Sequence, residues 1–375
     1  MKESIFKPRL VALLLLCVFA LGAVAAQTSH AQAQTPLSNE EFLALVRQLP
    51  KRPGLKEEII KEVRRRGLGF PLTSGLRSFV ATKSGNDPDL RRALEEAERR
   101  LLDPAAATPP SAVEASEVLE KSRLATLEAV DEMPDFVVRQ LISRAYALGT
   151  TRNWITTDRL SIAVSYRVSG GEQYRLLAVN GIPSGPAQAA KEQSDYSAIG
   201  GTSSTGEFVT TLKALFAADS RTAFKAQDTD TLRGRRTLIY EYEIKQPQSN
   251  RVLTYNKERS IVVAHRGRVW VDRESFRVLK VESAAYDIPA NFPITASVNT
   301  IDYEWVNIPG QGEYLLPSRA VLVMSVNDGL RTSQHRNDIH FRNYQKFGTE
   351  LKILDEDDLE EVPEEKAPEK KPEKP

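Results

Sequence analysis

The chain has 375 residues, with 51 Lys and Arg against 50 Asp and Glu, a formal net charge of +1 at pH 7 and one cysteine. This balance argues against a chain built to bind nucleic acid. The arginine runs at 64–66 and 233–236 also lack the interleaved aromatic residues that such binding uses. We therefore interpret both runs as solvated faces and expect no nucleic-acid partner.

The first 26 residues have the order of a secretory signal peptide. Three basic residues before position 10 are followed by an apolar run to Ala26, and small residues offer cleavage after Ala25 or after Ala33. We predict a signal peptide over 1–26, with cleavage as late as residue 33, and a periplasmic or secreted protein. The only cysteine, Cys17, leaves with this segment, so the mature chain has no thiolate for a disulfide or a metal.

Residues 35–103 are predicted to form a small helical domain. Ser38 and Glu41 have the spacing of a capping box, and Gly67 stands where a left-handed C-cap ends a second helix. Asp87 before a proline predicts the start of the last helix. A bundle of this size is barely self-sufficient, so we expect it to pack against a partner, such as another envelope protein.

The linker at 104–111 separates this domain from a region of different character. A helix is predicted from Ala112 to Ala129, after which apolar and polar residues alternate with a period of two, as they do from Leu160 to Val168. Turn residues rather than helices join most of these segments. We therefore predict a large antiparallel meander of roughly eight to eleven strands.

One helix is predicted to interrupt the meander, from Thr205 to Ala217, with Ser204 and Glu207 as its capping box. Its apolar stripe must be buried against the sheet. The helix is then either a permanent plug or a lid over a ligand, and the sequence leaves both open. The stripe consists of Phe208, Leu212, Leu215 and Phe216.

The segment from Gly267 to Glu282 contains an apolar–Trp–apolar–Asp run around Trp270 and closes on a Lys–x–Glu. This hairpin resembles that of the LolA/LolB-like family, which includes lipoprotein carriers and RseB-like regulators, and the resemblance extends over 112–350. It implies an α+β fold in which a curved antiparallel sheet, a half β-barrel, wraps over covering helices and encloses an apolar cavity for acyl chains. The small all-α domain precedes it. The pattern around Val179–Gly181 also resembles that of secreted bacterial proteins of unknown function.

Two functions follow from this resemblance, and both stay open. The first is an envelope protein that binds an acyl chain or a lipoprotein in the half-barrel. The second is a non-catalytic interaction or sensing module whose core is filled by its own side chains. Aromatic residues of the sheet either line the cavity or fill the core. The predicted ligand-binding residues are Phe208, Leu212, Leu215, Phe216, Tyr240, Tyr242, Trp270 and Trp305.

Patterns that indicate catalysis are weak. His335 and His340 are an odd number of residues apart, which places them on opposite faces of a strand and argues against a joint metal site. Residues 201–206 match neither a nucleophile elbow nor a phosphate-binding loop. Glu241 and Glu243 indicate a strand face that is exposed to solvent. We therefore predict no enzyme, no cofactor and no metal.

The end of the chain, 351–375, is rich in acidic residues, lysine and proline and poor in apolar residues. Such a segment buries too little surface to offset the entropy of ordering, so we predict a disordered charged tail.

Overall fold

The computed structural model of the chain describes residues 35–105, 108–184 and 207–348. The predicted signal peptide, the segment 185–206 and the predicted charged tail lie outside these residues. Within the described ranges, no helix combines the length and apolar character that crossing a bilayer requires. The described residues from Pro36 onward form one compact unit.

Four helices form the N-terminal part of this unit, and local capping explains where they begin and end. Ser38 and Glu41 form a complete capping box, and the side chains of Thr73 and Asp87 accept backbone N–H groups at the start of the third and fourth helices. Gly67, with φ of 71°, ends the second helix. The helices are α1 (Asn39–Val46), α2 (Leu55–Arg66), α3 (Ser74–Ser84) and α4 (Pro88–Leu102).

The apolar stripes of these helices meet in a core of their own, distinct from the core of the sheet. The helical part is therefore a small bundle rather than a set of separate covering helices. Its fully buried side chains include Phe42, Val46, Ile59, Val63 and Leu90.

Antiparallel strands make up most of the remaining described chain. They are β1 (Phe136–Leu148), β2 (Ile155–Arg167), β3 (Gly171–Val179), β4 (Ile182–Pro183), β5 (Ala223–Leu232), β6 (Arg235–Ile244), β7 (Val252–Tyr255), β8 (Arg259–Val262), β9 (Ala264–Asp272), β10 (Val278–Tyr286), β11 (Ile294–Ile308), β12 (Gly312–Asn327) and β13 (Thr332–Lys346). Eleven of them form one sheet in the order β4-β3-β2-β1-β13-β12-β11-β10-β9-β6-β5, and β7 and β8 form a separate hairpin. The sheet is curved and open, so the predicted α+β fold class is confirmed.

One face of the sheet, which we call the inner face, carries a continuous row of buried apolar residues. Residues directly opposite one another on antiparallel strands share a face, and the strand register pairs these residues one after another across the sheet. We call this set the apolar row: Tyr240, Val269, Val281, Ile301, Ala320, Ile339, Ile142 and Leu160.

Two helices cover the inner face: α5 (Ala112–Asp131) and the short α6 (Thr210–Phe216). The Tyr240 hydroxyl donates a hydrogen bond of 2.7 Å to the carbonyl oxygen of Ala115 in α5. The Tyr303 hydroxyl donates one of 3.2 Å to the carbonyl oxygen of Glu207, just before α6. Both buried phenols therefore tie the sheet to the elements that cover it.

The opposite face, the outer face, packs against α4 through charged side chains. Arg268 of β9 binds Glu96 of α4 and Glu282 of β10. Arg99 of α4 binds Asp230 of β5 through two hydrogen bonds of 2.8 and 2.9 Å. The surface against which the bundle packs is thus the outer face of the chain's own sheet.

The inserted helix differs from its prediction at one end. Its predicted cap, Ser204, lies outside the described residues, and α6 begins at Thr210 rather than at Thr205. Val209 occupies the N-cap position and supplies no side-chain hydrogen bond to the helix. Phe208 therefore precedes the helix instead of lying on its stripe, although its side chain is completely buried.

Candidate ligand-binding cavity on the inner face

The inner face changes from apolar to polar along its strands. Two residues beyond the apolar row, the same register pairs Tyr242 with Gly267, Gly267 with Ser283, and Ser283 with Asn299. We call these four residues the polar row. Buried polar groups need hydrogen-bond partners, so this end of the inner face differs in chemistry from the end that α5 and α6 cover.

Gly267 is required by the backbone of the neighbouring strand. A Cβ atom at this position would collide with the carbonyl group of Glu282, which is backbone and cannot rotate away. The polar row therefore has no side chain between Tyr242 and Ser283.

A cavity of about 830 Å³ lies over this part of the inner face. One wall is α6 with Val209 before it, and the others are the β2–β3 hairpin and the segment that leads into β7. Cavities of roughly 300–1,000 Å³ with apolar walls and a few converging polar groups are typical of small-ligand sites. The apolar lining includes Val209, Leu215, Leu253, Val281, Ile301, Leu322 and Met324.

Arg251 brings a positive charge to this cavity. It is half-buried, and its guanidinium donates hydrogen bonds to Ser283 Oγ and, over 3.0 Å, to Ser297 Oγ. In the described part of the chain, no carboxylate forms an ion pair with it. Burial lowers the pKa of Arg251, because the charged form loses hydration that these two hydroxyl groups only partly replace.

His265 lies beside Arg251 in the cavity lining. Its Nδ1 is 3.1 Å from Ser249 Oγ, and its ring meets the Tyr242 ring edge to face at 6.1 Å between centroids. Burial, assisted by the charge of Arg251, lowers the pKa of His265 to about 4. The imidazole is therefore neutral at pH 7, and Arg251 carries the positive charge of the cluster.

The contact between Ser249 and His265 has the distance of a nucleophile and its base. A general base works best when its pKa lies near the working pH, and a pKa of about 4 does not meet that condition. Ser249 Oγ also accepts the backbone N–H of Arg251. These bonds hold the segment 249–251 against the sheet, which is a structural role.

Six of the predicted ligand-binding residues lie together on the inner face, but mainly in its filled core. The Phe208 ring lies 5.3 Å from the Phe136 ring and 5.3 Å from the Phe341 ring, and the Phe216 ring stacks on Phe224 at 5.5 Å. Of the six, only Leu215 and Tyr242 line the cavity. All are buried: Phe208, Leu212, Leu215, Phe216, Tyr240 and Tyr242.

The two tryptophans of the prediction lie elsewhere. Trp270 is on the outer face, where its Nε1 donates to Asp230 over 3.0 Å and the Arg268 guanidinium lies 4.7 Å from its ring. Trp305 is 38% exposed, and Arg277 lies over its ring at 5.4 Å. Neither tryptophan lines the cavity.

The polar residues of the cavity are not among the predicted site residues. Arg251, His265, Ser283, Ser297 and Asn299 are absent from the predicted site. A signal was nevertheless present. Along β11, the inward positions change from Tyr303 and Ile301 to Asn299 and Ser297, so the apolar face becomes polar within one strand.

The two arginine runs serve ion pairs on the folded chain. Arg64 lies 3.5 Å from Glu96, and Arg235 binds Asp272. The β13 register places His335 and His340 on opposite faces, as predicted from their spacing. Within the described ranges, no group of three or more metal-ligating side chains occurs.

Comparisons with known proteins return structures of low similarity. No protein-family model and no curated protein matches the chain. The chain is similar to a DUF1329 family protein from Desulfovibrio piger, with 12% identity, a TM-score of 0.28, and coverage of 64% of this chain and 98% of that one. It is also similar to a complex of Pseudomonas aeruginosa MucA and MucB, with 9% identity, a TM-score of 0.17, and coverage of 60% and 94%. Identities and TM-scores this low assign no function to the chain.

Proposed function

We propose that this protein is an exported, non-catalytic binding protein that holds an apolar ligand, such as an acyl chain, in the cavity of the inner face. The observation that carries the proposal is the cavity of about 830 Å³ between α6, the β2–β3 hairpin and the sheet. Export rests on the N-terminal pattern of charged, apolar and small residues.

The position of the cavity supports reversible binding. It lies beside α6 and not beneath it, since the helix lines the cavity through Ala214 and Leu215 while Leu212 and Phe216 pack into the core. A ligand can therefore enter without removing the helix from the sheet. The helix then acts as a fixed wall of the site.

A cavity-filling substitution tests this proposal. Ala214 is half-buried and lines the cavity, whereas its neighbour Lys213 is exposed and does not. We expect the wild-type protein to bind cis-parinaric acid or its methyl ester, as measured by fluorescence titration. Ala214→Trp should abolish binding of both probes, and the matched control Lys213→Trp should bind as the wild type does. Equal binding by the two variants would contradict the proposed site.

One observation favours the second function, an interaction or sensing module. The core beneath α6 is filled by the chain's own side chains, among them Phe208 and Phe216. If the wild type binds neither probe, the cavity holds only water and this second function is the better interpretation. The same titration therefore decides between the two.

A further inference from the structure

We infer that the cavity selects amphiphiles whose polar end is an anion, a carboxylate or a phosphate held by Arg251, with the apolar tail against the apolar lining. This inference rests on the proposed function, because it names the ligand class of the same cavity. It starts from the charge balance around one guanidinium.

Two buried arginines elsewhere in the described chain have carboxylate partners. Arg268 binds Glu96 and Glu282, and Arg144 binds Asp158. Arg251 instead has two neutral hydroxyl groups. Removing an ionised group from water without a counter-charge is costly. Among the described residues Arg251 is thus a half-buried cation without a carboxylate partner, which an anionic ligand would stabilise.

The geometry leaves the guanidinium able to bind such an anion. A guanidinium has five N–H donors, and the hydrogen bonds to Ser283 and Ser297 use one donor on each terminal nitrogen. The remaining donors suit the oxygens of a carboxylate or a phosphate, which arginine binds in bidentate fashion. The serine hydroxyl groups keep the guanidinium in place without neutralising it.

A second polar group of the cavity belongs to the polar row. Asn299 lines the cavity, and its Oδ1 has no hydrogen-bond partner in the part of the chain that the structure describes. Its carboxamide supplies both a donor and an acceptor. Because His265 is neutral at pH 7, Arg251 provides the positive charge at this end of the cavity and Asn299 adds a polar contact. Arg167 and Glu172 line the same cavity from the β2–β3 hairpin.

The apolar lining accounts for the rest of the ligand. Val281 and Ile301 lie in the apolar row, two residues along β10 and β11 from Ser283 and Asn299. Leu215 of α6 lines the same cavity. A molecule whose anionic group binds Arg251 therefore contacts apolar side chains only two residues along the same strands. An amphiphile requires this arrangement.

The test compares cis-parinaric acid with its methyl ester, which has the same tail and no charge. We expect the full-length mature protein to bind the acid at least about tenfold more tightly than the ester at pH 7. Arg251→Gln should reduce that preference to below about twofold while ester binding stays unchanged. The matched control is Arg266→Gln, because Arg266 is an exposed arginine of β9. Its side chain stacks on Tyr286 and does not line the cavity.

A second variant guards against a folding defect in Arg251→Gln. Ser297 accepts a hydrogen bond from Arg251, so Ser297→Asp places an internal carboxylate against the guanidinium. We expect this variant to retain the thermal midpoint of the wild type and to lose acid binding selectively. Competition with decanoate and decyl phosphate, which share a tail length, then identifies whether the preferred head is a carboxylate or a phosphate.

The outcomes separate the inference from the proposed function. Binding of acid and ester with equal affinity by the wild type, unchanged in Arg251→Gln, would overturn the inference and leave the apolar-ligand function intact. Absence of binding by both probes would overturn both. Loss of acid preference in Arg251→Gln and Ser297→Asp, with ester binding kept, would support the inference.

Discussion

At the scale of single residues, two arginines of the sheet region show how neighbouring carboxylates determine the behaviour of a buried charge. Burial disfavours the charged form of both Arg251 and Arg268. For Arg268, Glu282 and Glu96 outweigh burial and raise its pKa. For Arg251 no carboxylate does so, and its pKa is lowered. Arg268 therefore contributes to stability, whereas Arg251 is the group that the proposed ligand would bind.

His265 gives a prediction of how stability depends on pH. The unfolded chain takes up a proton on this histidine near pH 6.5, whereas the folded chain does so only near its pKa of about 4. As pH falls from about 6.5 to about 4, the unfolded state binds more protons, so the free energy of unfolding decreases, by up to about 3 kcal/mol. We expect His265→Gln to remove this part of the pH dependence, as measured by urea unfolding at pH 7 and pH 4.

Other titrating groups do not obscure this test. His335 also has a pKa lowered by burial, but it is present in both the wild type and the variant, so its contribution cancels in the difference. Identical decreases in the free energy of unfolding for the two proteins would show that folding leaves the pKa of His265 unchanged and would contradict the prediction.

At the scale of elements, α6 is too short to be stable by itself. Helices of this length are marginal in water, so its packing against the inner face must hold it. Leu212, Leu215 and Phe216 supply that packing from within the helix, and Phe208 supplies it just before the helix begins. This burial is what a permanent plug requires, and the cavity beside the helix removes the need for a lid motion.

Truncating an aromatic side chain that packs α6 against the inner face should therefore reduce the free energy of unfolding as much as truncating any core aromatic residue. We expect Phe216→Ala to reduce the free energy of unfolding by about 3–5 kcal/mol. Lys213→Ala, at an exposed position of the same helix, should change it by less than about 0.5 kcal/mol. Urea denaturation followed by circular dichroism measures both. A modest loss for Phe216→Ala together with altered probe uptake would instead support the lid.

At the scale of the whole molecule, charged side chains join the helical bundle to the sheet. Burial raises the pKa of Glu282, but Arg92 and Arg268 outweigh it and lower the pKa to about 2. Glu96 is similarly held ionised by Arg268 and Arg64 against the effect of burial. Both carboxylates are therefore charged at pH 7. Each interacts with an arginine across the contact: Glu282 with Arg92 of α4, and Glu96 with Arg268 of β9.

Breaking this network should destabilise the whole unit. Arg268→Met removes the cation shared by Glu96 and Glu282 and leaves two buried carboxylates with weaker compensation. We expect a loss of about 3–5 kcal/mol in the free energy of unfolding. The control Arg65→Met breaks a more exposed pair with Glu62 and should leave the free energy of unfolding nearly unchanged.

The measurement is urea unfolding followed by both tryptophan fluorescence and circular dichroism. Trp270 is buried against this network, so its fluorescence reports separation of the bundle from the sheet. Coincident transitions in the wild type are expected from one compact unit. An unchanged transition in Arg268→Met would show that the bundle is held by other contacts.

Much of the architecture could be predicted from local sequence because it has local causes. The capping side chains Ser38 and Asp87 and the left-handed Gly67 act within one turn of a helix. The alternation from Leu160 to Tyr166 requires only that one strand face is buried. The fold class follows from such short-range patterns. The strand β5 was not predicted, because a sequence such as FKAQDTDT has no apolar alternation.

The site itself was decided by tertiary structure. Alternation shows that a strand has two faces but not which element covers each face, so the pattern does not distinguish Trp270 from Tyr240. Tyr240 bonds to α5 on the inner face, whereas Trp270 bonds to Asp230, which binds α4 on the outer face. Arg251 meets Ser283 and Ser297 only because folding joins residues 32 and 46 positions apart. The sequence by itself determined most of the helices and strands and the fold class, since these depend on neighbouring residues. Which residues line the cavity, and whether Arg251 meets a carboxylate, depend on which distant strands pair, and only the folded chain decides that.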